Sequence, residues 1–108
     1  MRIQFKKGVL ELCVLALLEK QDRYGYDIAS AFSDEMEISD GTVYPILRRL
    51  SSELYLSSYL SESNEGPPRK YYTITPQGRR FLTELREEWQ NFTRAVDNML
   101  HEEVDAND

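Results

Sequence analysis

The sequence predicts a mainly α chain of the α+β class, with three helices, a β-hairpin and a long closing helix. Three observations carry this. Apolar residues recur at helical spacing over three early segments, and the period then shortens to that of strands on both sides of a Gly-Pro-Pro turn. From Pro76 the helical period returns and persists almost to the end. The 108 residues, 41% hydrophobic and 30% charged, suit one domain with a thin core, for which burial against a twin chain would help.

Gly8 to Lys20 reads as a helix that is apolar nearly all round, through Val9, Leu10, Leu12, Cys13, Val14, Leu15, Ala16, Leu17 and Leu18. Such a helix must be covered on more than one side. Cys13 within it reads as a small buried hydrophobe rather than a reactive thiol. Gln21-Asp22-Arg23 is a short connection, and Tyr24 to Met36 is a second helix with Ile28, Ala29, Ala31 and Phe32 facing inward.

Ser39 is placed to cap a third helix reaching about Glu53. Val43, Leu47, Leu50 and Leu54 form its buried stripe, which leaves Thr42, Tyr44, Pro45, Arg48 and Arg49 on the opposite side. Pro45 lies past the first turn, where it removes a hydrogen bond and should bend the helix start. Tyr55–Ser61 and Arg69–Thr75 then read as strands joined by a turn-rich loop containing Gly66-Pro67-Pro68. Thr75 caps a fourth helix with Pro76 at its first position, expected to run to about Glu103 before a frayed tail at Asp105–Asp108.

Helix, short turn, helix, hairpin is the order of a winged helix-turn-helix. Residues 1–75 are expected to form that unit and residues 76–108 a C-terminal dimerisation helix with an acidic tail, the two making one structural body. In such folds the second helix of the pair enters the major groove of double-stranded DNA. The formal net charge of −6 seems to oppose this. The acidity is local, however. Glu84–Asp108 holds 8 acidic and 2 basic residues, whereas Gly41–Thr83 holds 6 basic and 3 acidic ones.

Ser39, Thr42, Tyr44, Pro45, Arg48 and Arg49 are the candidate DNA contacts of the reading helix. Arginine can bond phosphates or a guanine edge, and the hydroxyls can reach phosphates. From the helix alone, Arg48-Arg49 reads equally well as a solvated face. The wing shifts the balance, because Arg69 and Lys70 directly follow the stiff Gly66-Pro67-Pro68 tip and can clamp phosphates beside the reading helix. The bland role for that pair is to keep an edge strand soluble.

Leu85, Trp89, Phe92, Val96 and Met99 are spaced 4, 3, 4 and 3, a heptad seam flanked by Leu82 and Leu100. A seam that long predicts a partner helix, and a homodimer by two-fold symmetry would present two reading helices to a two-half-site operator. Trp89 and Phe92 can also line a pocket for a small aromatic effector, although interface packing is the favoured role.

Other classes fare poorly. One cysteine and one histidine build neither a disulfide framework nor a zinc site, so no metal and no cofactor is expected. His101 falls in the expected frayed region and Cys13 has no nearby base, which argues against an enzyme. The apolar run Val9–Leu18 is interrupted by Glu11 and lacks a cleavage site, so it reads as neither signal peptide nor membrane span, and a cytoplasmic protein is expected. A winged-helix protein–protein adaptor that never touches DNA remains the rival, with the basic wing counting against it.

Three blocks carry a resemblance: Tyr24-Gly25-Tyr26-Asp27-Ile28, Gly41-Thr42-Val43-Tyr44-Pro45-Ile46-Leu47-Arg48-Arg49-Leu50, and Gly66-Pro67-Pro68-Arg69-Lys70-Tyr71-Tyr72-Thr73-Ile74-Thr75-Pro76-Gln77-Gly78. In order and spacing they resemble the PadR-type transcriptional regulators. The resemblance implies a winged helix with a C-terminal dimerisation helix, in a family whose members mostly repress genes and in some cases release DNA on binding a small aromatic molecule. It also implies the reading role for Thr42, Tyr44, Pro45 and Arg48, and the wing role for Arg69 and Lys70. One departure follows the reading helix: Ser51 and Leu54 stand where the family usually has an acidic residue and a glycine. Glycine is the usual residue for a left-handed helix end, so this helix is expected to end differently.

Overall fold

The structure, a computed structural model, describes the backbone of residues 3–63 and 65–101, with side chains from residue 8 onward. Its elements are α1 (Ile3–Lys20), β1 (Arg23–Tyr24), α2 (Gly25–Met36), α3 (Asp40–Ser52), β2 (Leu56–Ser61), β3 (Arg69–Ile74) and α4 (Pro76–Leu100). This is the winged-helix order expected from the sequence, with three differences.

First, α1 begins at Ile3 rather than Gly8. A β-carbon at Gly8 would meet nothing within 4 Å, so this glycine serves no turn and no close contact. The helix runs through it at the cost of about 1 kcal/mol relative to alanine. Second, the expected two-stranded wing is a three-stranded antiparallel sheet of order β1-β3-β2. Arg23 pairs with Tyr72 and Tyr24 with Tyr71, so part of the supposed connection is an edge strand. Third, α4 ends at Leu100, where the His101 amide bonds the Asp97 carbonyl at 2.8 Å. Glu103 and the Asp105–Asp108 tail lie outside the described residues.

The core gathers one face from each helix and from β2 and β3. Leu10, Val14, Leu15 and Leu18 of α1 meet Ile28, Ala29 and Phe32 of α2, and Val43, Ile46, Leu47 and Leu50 of α3. Leu56, Tyr72 and Ile74 close it from the sheet and Leu82 from α4. Arg23 steadies the end of α1, its Nε donating to the Leu17 carbonyl at 3.2 Å, as a cation at a helix C-terminus should. The remaining apolar side chains of α1 border two grooves. Cys13, Ala16 and Leu17 face Ala31, Phe32 and Met36 of α2 across one. Across the other, Val9 and Leu12 face Leu85, Trp89 and Phe92 of α4. A helix apolar on all sides is thus buried on one side and left half-covered on two others.

The end of α3 reverses one expectation and qualifies another. Leu54, expected in the buried stripe, is 66% exposed, because it has left the helix at φ 68°. The helix therefore ends as a glycine-ended one would. The Leu54 amide bonds the Ser51 carbonyl at 3.1 Å and the Tyr55 amide bonds the Leu50 carbonyl at 2.9 Å, the paired bonds of a Schellman end. The buried stripe also includes Ile46, nearer the start of the helix. Downstream, the Thr75 hydroxyl donates to the Leu54 carbonyl at 2.7 Å and accepts from the Gly78 amide at 2.9 Å. The end of α3 and the start of α4 are tied by one side chain.

Candidate nucleic-acid interface

Helix α3 offers its outward edge where the sequence expected it, with one exception. Ser39, Gly41, Pro45 and Arg48 are exposed, and Thr42 and Tyr44 are half-buried. Ser39 occupies the cap position with φ −76° and ψ 157°, but its hydroxyl makes no capping bond; it approaches the Thr42 hydroxyl at 3.5 Å instead. The helix continues through Pro45. Arg49 is the exception. Rather than standing outward with Arg48, it turns to α1, where its Nη1 bonds Glu11 Oε2 at 3.0 Å. That hydrogen bond raises the guanidinium pKa above its usual value.

Tyr44 owes its half-burial to a neighbour without a side chain. A β-carbon at Gly25 would lie 3.6 Å from the Tyr44 ring and 3.3 Å from the Tyr72 ring. The start of α2, the outer flank of α3 and the sheet therefore converge at Gly25. Burial, and then the charge of Asp40, push the Tyr44 phenol above its usual range. At neutral pH it is an intact hydroxyl, able to donate to a phosphate or a base.

The two wing cations lie on opposite faces of β3, as neighbours on a strand must. Lys70 sits over the Tyr72 ring at 5.4 Å, on the face that reaches Gly25 and Tyr44. Arg69 sits over the Tyr24 ring at 4.9 Å on the other face. Both remain exposed beside the Gly66-Pro67-Pro68 tip. Beneath Arg69 runs a rung of aromatic residues that the sequence reading did not anticipate. Tyr24, Tyr71 and Tyr59 are register partners on the three strands, with ring centroids 6.0 and 5.7 Å apart. Tyr59 donates to Asp22 at 2.7 Å; hydrogen bonds from Thr73 and Tyr59 hold that carboxyl below its usual range. Tyr26, 59% exposed in the first turn of α2, adds a further hydroxyl beside Tyr24. The signal for this rung was the alternation of tyrosines, and it needed β1 to be recognised as a strand.

The seam residues behave unequally. Leu82 is fully buried and Leu85 is packed on the core. Trp89 and Phe92 are partly exposed and line the α1–α4 groove with Gly8, Val9, Leu12 and Glu88, around a volume of ≈ 270 Å³. Val96 is half-exposed, and Met99 and Leu100 are 78% and 73% exposed. Among the described residues no group of His, Cys, Asp and Glu could hold a metal ion, and no helix is long and apolar enough to cross a membrane.

Against known proteins, residues 14–84 match the family model described as the transcriptional regulator PadR-like family. The chain is 34% identical over 96 residues to a transcriptional regulator of Mycobacterium tuberculosis, covering 86% of this chain and 87% of that one. It is 31% identical over 78 residues to the negative transcriptional regulator PadR of Bacillus subtilis, covering 68% of this chain but 43% of that protein. The crystal structure of a PadR-like transcriptional regulator from Bacillus cereus superposes with a TM-score of 0.81 at 35% identity, over 91% of this chain and 97% of that one.

Proposed function

The chain belongs to the PadR-like family of transcriptional regulators, and from that premise we propose that it is a dimeric, sequence-specific DNA-binding repressor. The observation that carries the reading is the exposure of Pro45 and Arg48 on α3 together with the convergence of Tyr44 at its flank, Gly25 and Tyr72 on the face of β3 that bears Lys70, while Arg69 stands exposed on the other face of the wing. Arg48 and Tyr44 read base edges. Arg69 and Lys70 bind phosphate, so their contribution is indifferent to sequence and falls steeply with salt. Residues 1–75 act as the DNA-binding unit and residues 76–108 as the dimerisation element.

Support for the homodimer comes from the apolar side chains this chain leaves uncovered. Val96 and Met99 continue the seam of Leu85, Trp89 and Phe92 beyond the body of the protein, and α1 borders apolar grooves on two sides. A second α4 would cover them and set two reading helices on a two-half-site operator. The groove at Trp89 and Phe92 is the place for a planar aromatic effector that releases DNA. The word repressor rests on the Bacillus subtilis relative, a negative regulator.

An electrophoretic mobility shift with the DNA upstream of the protein's own gene tests the core of this reading. A retarded band that weakens as salt rises is expected; no band at low salt would sink it. Titrating the fluorescence of Trp89, the single tryptophan, with planar aromatic compounds tests the effector. If no compound in the panel changes the emission, Trp89 is packing alone.

A further inference from the structure

Among the described residues Glu11 is the one charged residue that the fold buries, with 9% of its surface exposed. Its carboxylate meets Arg49 Nη1 at 3.0 Å, joining the middle of α1 to the end of α3. The arrangement is a poor device for stability. Arg49 Nη2 is buried without a hydrogen-bond partner, as is Ser51 Oγ two residues along the same helix. Each such group carries the desolvation cost of an unsatisfied polar atom, and replacing a buried ion pair by apolar side chains of similar volume is often neutral or stabilising. The pair does supply a fixed distance between two helices that otherwise share only an aliphatic core, to which Leu10, Val14 and Leu18 of α1 and Leu47 and Leu50 of α3 belong.

We propose that Glu11 and Arg49 are a positioning pair for the reading helix: their bond sets how α3 is rotated on α1, and Arg49 itself does not touch DNA. Successive helical residues are about 100° apart, so Arg49 lies at the flank between exposed Arg48 and buried Leu50. Fixing that flank fixes where Arg48 and Tyr44 point. A site held within about 0.5 Å can form paired hydrogen bonds to a base edge, whereas phosphate contacts tolerate more play. Breaking the pair should therefore cost recognition before it costs attachment. The inference rests on the DNA-binding reading above and deepens it.

The test compares wild type, Glu11→Gln, Arg49→Met and the double variant Glu11→Leu/Arg49→Met. Two DNAs are used: a duplex that the wild type recovers from a randomised pool, and poly(dI-dC). Affinities are measured across salt, with circular dichroism melts alongside to keep every assay on folded protein. Both single variants should lose about tenfold in affinity for the recovered duplex, equal to about 1.4 kcal/mol, while binding poly(dI-dC) within about twofold. Their salt slope should not change. The double variant should melt no lower than wild type and still lack the preference, which a purely structural pair would not do.

The proposal is overturned if the double variant regains the preference. It is also overturned if Glu11→Gln binds as well as wild type while Arg49→Met weakens on both DNAs and its salt slope falls by about one, since Arg49 would then be a phosphate ligand. A wild type that binds neither DNA would remove the DNA-binding reading itself, and this inference with it.

Discussion

The two halves of α4 carry the same kind of sequence and meet opposite fates. In the first half, Thr75 caps the helix, Gly78 is pressed against the Tyr55 carbonyl, and Leu82 is fully buried. In the second, Phe92 and Met99 continue the same helical spacing, with Leu100 beside Met99, yet they stand 47%, 78% and 73% exposed. A helix of 25 residues is about 37 Å long, in a molecule whose shorter dimensions are 28 and 22 Å. The apolar face therefore outruns the body that could cover it. An apolar stripe predicts burial but not by what, and the size of the domain decides whether the covering surface is its own.

Removing a methyl cluster from each half gives the widest separation. Leu82→Ala should cost about 2–5 kcal/mol in urea unfolding, the range for a buried leucine. Met99→Ala should leave the stability of a dilute monomer within about 0.5 kcal/mol. Equal losses would mean that the exposed half packs on its own chain. Gly78→Ala tests the locked half differently. The added carbon would lie 2.8 Å from Ile74 Cγ1 and collide with the Tyr55 carbonyl, so a loss of about 1–3 kcal/mol is expected. An unchanged melt would show that the start of α4 can shift.

The exposed half is tested by charge. Val96→Glu with Met99→Glu should convert the proposed dimer to monomer in sedimentation equilibrium while helix content is retained. A dimer that persists would move the interface away from the seam.

Much of this could be read from the chain, for reasons that separate cleanly by residue. The helices of the core show because Leu10, Val14, Leu18 and Val43, Leu47, Leu50 repeat at fixed spacing, and the hairpin shows because Gly66-Pro67-Pro68 punctuates it. A strand of two residues, Arg23–Tyr24, has no period to detect and exists only because β3 is there to pair with it. The rung of Tyr24, Tyr71 and Tyr59 was hidden with it. Arg49 looked like Arg48 because adjacent residues of one type cannot be told apart until a partner distant in sequence, Glu11, is brought near. The outward edge of α3 was legible as the residues left over from its buried stripe.

Leu54 shows the opposite case, a position whose demand is visible in the family pattern but not met by the residue. It holds φ 68° where glycine would be unstrained, and its carbonyl receives the Thr75 hydroxyl that starts α4. Leu54→Gly should stabilise the protein by about 1 kcal/mol, the strain of a left-handed side-chain residue less the added freedom of glycine when unfolded. A lower melting temperature would mean that the leucine makes contacts worth more than its strain.

The smallest effect belongs to the point where the halves meet. Arg86 Nη2 bonds Glu19 Oε1 at 2.9 Å, between Leu85 and Trp89, with both side chains more than a third exposed. The hydrogen bond from Arg86 holds the Glu19 carboxyl below its usual range. A lowered folded-state pKa stabilises above the unfolded value, near pH 4.3, and the contribution fades as pH falls through the folded one. Because the pair is solvated, Arg86→Gln should cost less than about 0.5 kcal/mol at pH 7. The difference should vanish in acid and in molar salt. A loss above about 1 kcal/mol, insensitive to salt, would show instead that the pair organises the departure of α4 from the body, and the two halves would then have to be treated as one cooperative helix.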